Sequence, residues 1–224
     1  MVGTSQAPAL RFDDGGWAQA IGNHVALDLV NTVAWRLDDA RTVDRLPDGP
    51  ELVRWAHFVG VLDDDTAAAF AHEVADDPAL GGKVTARVRR ARDQLYGVVQ
   101  PLASGAEPSQ EDVAALRRHL LGVLGRADVV TPMPLEWSIR LRSIADLPDA
   151  LGLEMWRLLE QQDRARLRQC QDADCGWLFL DRTKNGSRVW CSSADCGNRT
   201  RARRHYQRRT PAAGGRPDKG TAPR

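Results

Sequence analysis

The sequence is poor in lysine, in tyrosine and phenylalanine, and in long apolar runs. Only three of its 31 basic side chains are lysine. That bias speaks of the base composition of a gene more than of a function, and it leaves the basic chemistry to arginine. No stretch approaches the ~18 apolar residues that a membrane helix needs. Residues 1–16 hold no basic segment followed by an apolar one, so no signal peptide is read and a cytoplasmic protein is expected. There is no G-x-x-x-x-G-K-[ST] phosphate loop and no G-x-S-x-G nucleophile elbow. His24, His57, His72, His119 and His205 are scattered and form no H-x-x-x-H pair. Acidic pairs such as Asp38-Asp39 and Asp76-Asp77 are adjacent and turn-like, so they read as caps rather than as an acid and a base. No enzymatic chemistry is expected.

What is present suffices for a folded protein. Of 224 residues, 42% are apolar, enough for a core in one or two domains. The net charge of +1 hides a split. Residues 1–163 carry 16 basic and 25 acidic side chains, whereas residues 164–224 carry 15 and 5. An acidic body followed by a basic segment points to a polyanion partner for the latter. All four cysteines lie in the basic part.

Helical spacing of apolar residues dominates the body. It predicts a helix over Ile21–Leu37 and another through Leu52–Val59 after a turn at Asp48-Gly49-Pro50. Asp63 to Thr66 reads as an N-cap region opening an alanine-rich helix that stops before Asp77-Pro78. Further helices are predicted over Val84–Leu102, from Pro108-Ser109 to about Leu124, and over Pro148–Leu167. Within Asp128–Ser143 the apolar period shortens to two, which predicts a β-hairpin. The expected organisation is a loose lead-in (1–19), a mainly α domain with a small antiparallel β element (20–165), a small basic domain (166–209) and a disordered tail rich in Pro, Gly and Arg (210–224). The fold class is α+β, mainly α.

The cysteines form two identical C-x4-C pairs, Cys170/Cys175 and Cys191/Cys196. Two such pairs can supply the four thiolates of a tetrahedral zinc site, and a full thiolate set leaves no open position, so the site would be structural. Two disulfides are an alternative that needs an oxidising compartment, and unpaired core thiols have no reason to come in matched pairs. Between the pairs, Gly176–Leu180 and Val189–Cys191 read as strands around a turn at Asp181–Ser187. Trp177, Phe179 and Trp190 read as the core of a domain too small to bury much else, with base stacking as the alternative. Gly197–Arg209 is compatible with a helix and carries six arginines, so a treble-clef arrangement is expected.

Trp190-Cys191, then Cys196-Gly197-Asn198-Arg199 and a basic helix, closely resemble the CGNR zinc finger, as does Leu178-Phe179-Leu180-Asp181. Leu27-Asp28-Leu29-Val30-Asn31-Thr32 resembles part of the ABATE domain that accompanies that finger. The resemblance implies a bacterial, stress-related transcription regulator that holds zinc and binds DNA through the finger. On a helix advancing about 100° per residue, Arg201, Arg204 and Arg208 share the side opposite Cys196 and are the preferred phosphate contacts. Arg203 adds charge nearby, and Arg199, on the zinc side, is expected to pair with Asp181 although it can reach DNA around an edge. RNA binding, protein docking or a merely solvated helix are the alternatives. Asp28 and Asn31 lie i, i+3 and are candidates to line a pocket for a small-molecule effector, or else form a buried capping network. Dimerisation through the body would strengthen weak DNA contacts.

Overall fold

The computed structural model describes residues 20–161 and 164–209. The expected lead-in (1–19) and tail (210–224) lie outside the described residues. Among the described residues there are seven α-helices and three two-stranded antiparallel pairs.

The body begins with a short helix α1 (Val25–Val30), not the helix over Ile21–Leu37 that apolar spacing predicts. Asn31 ends it because its side chain is taken by a distant strand, and the chain turns into β1 (Val33–Ala34), which pairs with β2 (Val43–Asp44). A bidentate ion pair fixes this β element to the helices behind it. The buried Arg92 guanidinium donates to both oxygens of Asp44, at 2.8 and 2.9 Å, and to Thr32 Oγ1 at 3.1 Å.

Helix starts follow the caps. Asp48 accepts from Glu51 N–H at 2.9 Å to open α2 (Gly49–Phe58), so Gly49-Pro50 belong to the first turn rather than to a free turn. Asp63 opens α3 (Asp64–Asp76) and Ser109 opens α5 (Gln110–Leu124) in the same way. Asp77-Pro78 both ends α3 and starts α4 (Pro78–Ala103), with Asp77 as cap and Pro78 in the first turn, where a missing N–H costs nothing. Helix α4 therefore begins six residues before the expected Val84. Its Gly81 meets Gly49 of α2 so closely that a Cβ on Gly49 would sit 2.9 Å from the Gly81 Cα.

The hairpin forms as expected, β3 (Asp128–Pro132) against β4 (Leu135–Ser138). Helix α6 (Leu147–Gln161) follows, but Leu167 is not its end as the spacing predicts. It opens β5 (Leu167–Gln169), which pairs with β6 (Leu178–Leu180). The strand expected at Val189–Cys191 is absent. The fully buried Asp181 carboxylate accepts from the N–H groups of Thr183 and Arg188 at 2.9 Å each, so the chain after β6 closes on its own side chain instead of returning as a strand. The basic helix α7 (Asn198–Arg209) ends the described chain.

One large apolar core joins α1–α6 and also takes in Leu167, Leu178 and Leu180. A smaller one gathers Ile21, Ala34, Trp177, Phe179 and the four cysteines. Both cores therefore cross the expected 165/166 boundary.

Candidate metal centre

Each cysteine pair sits on a tight backbone knuckle. Cys170 N–H donates to Trp177 O at 2.8 Å and Cys175 N–H to Asp172 O at 3.1 Å. Gly176 then turns left-handed, with φ 72°. A side chain there would also collide with the body, at 2.9 Å from Arg36 Cβ. In the second knuckle Ser192 caps a single π-type turn, Ser193–Gly197, that carries Cys196 and runs straight into α7. Gly197 is packed against Trp190, which a Cβ would approach to 3.3 Å.

The four thiols are buried and their sulfurs lie within 4.8 Å of one another. Cys175–Cys191 and Cys191–Cys196 sulfurs are 3.7 and 3.4 Å apart. Tetrahedral bonds of ~2.3 Å to one zinc place sulfurs about 3.8 Å apart, so the donor set fits the ion. Hydrogen bonds from Cys175, Cys191 and Cys196 drive the Cys170 thiol strongly down, whereas their bonding to Cys170 and their burial drive Cys175 and Cys191 strongly up. A zinc ion held there would ligate all four thiolates at once.

Arginines surround this cluster. Arg199 Nη2 donates to Cys196 Sγ at 3.0 Å, and its Nε donates to Asp172 at 2.8 Å. Asp172, only 1% exposed, also accepts from Arg203, which reaches Asp174 at 2.7 Å as well. The expected partner of Arg199, Asp181, is thus replaced by Asp172, because the Asp181 oxygens are consumed by its own turn. Burial lowers the Arg199 pKa, but the charges of Cys196 and Asp172 outweigh it and leave the group above its ordinary value. Arg188 donates to the carbonyls of Cys191, Trp190 and Ile21 at 2.6, 3.1 and 3.2 Å and stacks over Phe179. Trp177 and Phe179 are buried as core, and Trp177 Nε1 donates to Val33 O at 3.0 Å.

The outer arginines of α7 are placed differently. Arg201, Arg204 and Arg208 are exposed. Arg201 Nη2 reaches Ser193 O and Asn198 Oδ1, at 3.2 and 2.6 Å, and Arg208 Nε donates to Arg204 O.

Asp28 and Asn31 serve the joint between body and finger. Asn31 Nδ2 donates to Leu178 O at 2.8 Å while Leu178 N–H donates to Asn31 Oδ1 at 2.9 Å, so the amide pairs with β6 as a neighbouring strand would. Asp28 Oδ1 accepts from Gly22 N–H at 2.7 Å, and Gly22 O in turn accepts from Leu180 N–H. Neither residue lines the cavity beside the cysteines. Asp172 and Arg188 escape a reading of the sequence. The one available signal for Asp172 is an acidic residue inside the first cysteine pair with an arginine three places after the last cysteine.

These features define a zinc-finger protein in which a helical body is packed onto a four-cysteine metal centre able to hold zinc. Residues 23–161 match the ABATE family, "putative stress-induced transcription regulator", and residues 166–209 match the CGNR zinc finger. The chain belongs to the ABATE family and carries the CGNR finger. That description is of a regulator rather than an enzyme. No curated protein matches the chain. Among the described residues no helix is long and apolar enough to cross a membrane.

Proposed function

We propose that the chain is a zinc-dependent DNA-binding transcription regulator of a reducing cytoplasm, with Cys170, Cys175, Cys191 and Cys196 as zinc ligands and the outer face of α7 as the DNA contact. The observation that carries this reading is the division of arginines along α7. Arg199 and Arg203 are committed to Asp172 and Asp174. Arg201, Arg204 and Arg208 face solvent and, among the described residues, make no ion pair. Exposed cations without carboxylate partners suit phosphates, whose condensed counterions are released on contact. A helix also fits the major groove, where arginine can read guanine edges.

Anisotropy titrations of a labelled duplex over a salt series test it. If Arg201, Arg204 and Arg208 each meet a phosphate, their alanine triple variant should flatten the log–log salt slope by about 2.7 in all, at ~0.9 each. An unchanged slope refutes the assignment of this face to DNA. Selection from a random DNA pool would then give the preferred site, and its symmetry the oligomeric state.

A second reading, as a protein-interaction module with a purely structural finger, draws on the β3–β4 hairpin. Val129, Val130, Met133 and Leu135 are each at least half exposed there. A homodimer formed through this hairpin would be compatible with DNA binding, and sedimentation of a Val130→Lys variant tests it.

A further inference from the structure

Helix α7 has no apolar anchor. Ala202 and Tyr206, its two apolar side chains, are exposed, so no hydrophobic burial sets the direction in which its outer arginines point. We propose that Trp35, in the body's loop between β1 and β2, is the positioning residue of α7: through Arg199 it fixes the pose in which the helix presents Arg201, Arg204 and Arg208. The consequence for DNA rests on the DNA-binding reading; the pose itself does not.

Two guanidinium groups stack on the Trp35 indole. Arg41, from the same loop, lies 3.6 Å from the ring centre and Arg199, from the first turn of α7, lies 4.4 Å from it. Asp172 and Cys196 Sγ already engage the Arg199 edge, so the indole is the contact that this arginine receives from the body. These contacts close into a ring. Arg41 pairs with Asp174 at 3.5 Å, Asp174 with Arg203 at 2.7 Å, Arg203 with Asp172 at 3.3 Å and Asp172 with Arg199 at 2.8 Å. Arg199 and Arg41 then meet on Trp35. Each carboxylate in the ring holds two cations, and a network of this kind holds its members more firmly than separate pairs do. Two residues of α7 belong to the ring, one turn apart, which defines a direction for the helix as well as a point of attachment.

The loop is built to hold the indole in place. Trp35 has φ 56°, a left-handed conformation that a bulky residue adopts only where its surroundings impose it, and such outliers cluster at functional positions. Its carbonyl accepts from Asp38 N–H and from Thr42 Oγ1, at 2.9 Å each. Asp38 O in turn accepts from the N–H groups of Arg41 and Thr42 at 2.9 Å each. Leu37 N–H donates to Asp174 O at 3.4 Å, which lays the loop against the first knuckle. A helix held in this way meets a ligand already oriented, which limits the ordering cost of binding.

Amide hydrogen exchange and DNA affinity of the zinc-loaded full chain test the proposal, with a labelled duplex of mixed sequence as the probe. In Trp35→Leu the amides of Ala202 to Arg208 are expected to exchange about tenfold faster, while those of α4 keep the parent's rates. Duplex affinity should fall by about tenfold, the factor carried by one partly desolvated stack. The log–log salt slope should stay the parent's, because the outer arginines still meet phosphates. Trp35→Phe, which keeps an aromatic face, should recover most of both losses. Arg41→Gln removes the exposed stacking partner and the pair with Asp174, and should shift exchange and affinity in the same direction by a smaller factor. It replaces Trp35→Leu as the deciding variant should the latter fail to fold. Parent-like exchange in α7 of the deciding variant, parent-like duplex affinity in it, or a Trp35→Phe variant no better than Trp35→Leu would each overturn the proposal. A parent chain that does not bind the duplex would instead refute the DNA-binding reading, and the exchange rates would still decide the pose.

Discussion

Replacing Asn31 by leucine, which keeps the branch at Cγ but puts methyls in place of the amide, probes how the finger is tied to the body. The Asn31 amide makes two buried hydrogen bonds to the backbone of Leu178, at 2.8 and 2.9 Å, and Leu178 itself is fully buried. In Asn31→Leu the N–H and C=O of Leu178 lose their partners and no water reaches them. Each orphaned group costs about 1–3 kcal/mol, so the variant should lose about 2–6 kcal/mol. That is a large share of the ~5–15 kcal/mol that holds a typical domain together. The other end of β6 stays anchored, since Leu180 N–H donates to Gly22 O and Asn23 Nδ2 donates to Leu180 O. The expected outcome is a lower urea midpoint for the zinc-loaded chain, still in one transition, with the Leu178 amide exchanging far faster than in the parent. Asn31→Asp separates the two bonds. It keeps an acceptor for Leu178 N–H but turns a carboxylate oxygen toward Leu178 O, so it should be destabilising at neutral pH and partly recover in acid, where a protonated oxygen can donate. A change in stability below about 0.5 kcal/mol for Asn31→Leu, the range of inert surface substitutions, would refute the clamp.

Cys196→Ser should abolish metal binding, while the parent protein carries one zinc per chain by elemental analysis; less than half an equivalent in the parent would count against the site. Burial pushes the Asp28 carboxyl up to about 7, against ~3.9 in an unfolded chain. Between those values the folded chain binds more protons than the unfolded one, so this group's contribution to stability is full below pH ~4 and is lost as pH rises through about 7. Asp28→Asn should remove that slope and gain on the parent most above pH 7; parallel stability profiles from pH 4 to 8 would contradict it. Arg199→Ala leaves the buried Asp172 with Arg203 as its remaining cation and deprives Cys196 Sγ of its guanidinium donor, so it should cost up to ~3 kcal/mol and hasten zinc loss to a chelator. An unaltered zinc off-rate would show that this arginine only decorates the site.

Much of this structure is legible in the sequence where the signal is local. Asp63 and Ser109 cap the helices they foreshadow, and the paired cysteines come together just ahead of the basic helix. The misreadings share one cause, a distant partner that overrides a local pattern. The apolar spacing of Ile21–Leu37 is helical throughout, yet Asn31 is claimed by a strand 147 positions away. Leu167 continues the spacing of α6 but is drawn instead into a strand opposite Leu180. Val189–Cys191 has the composition of a strand, but Asp181 satisfies the turn before it and β5 already occupies the edge of β6. The finger holds four carboxylates, Asp172, Asp174, Asp181 and Asp195, and only the fold reveals that Asp181 is taken by its own turn while Asp172 is the one that meets Arg199.

These long-range partners change what the finger is. A basic domain joined by a linker could lose its metal without consequence for the body. Here Leu167, Leu178 and Leu180 are at least nine-tenths buried in the body's own core. At about 1.5–3 kcal/mol for each fully buried side chain, they contribute as much as the net stability of a small domain. The strand that carries two of them is positioned from one side by Asn31 and Gly22 and from the other by the first knuckle, where Cys170 N–H bonds to Trp177 O. The second knuckle is tied back through Arg188, which bridges Cys191 O and Ile21 O. Zinc bound by both knuckles would therefore stabilise the body as well as the finger. The same coupling runs outward. Arg199, in the first turn of α7, is stacked 4.4 Å from the ring centre of Trp35, so a shift of Trp35 on the body side would alter the seat of the helix whose outer face is proposed to meet DNA.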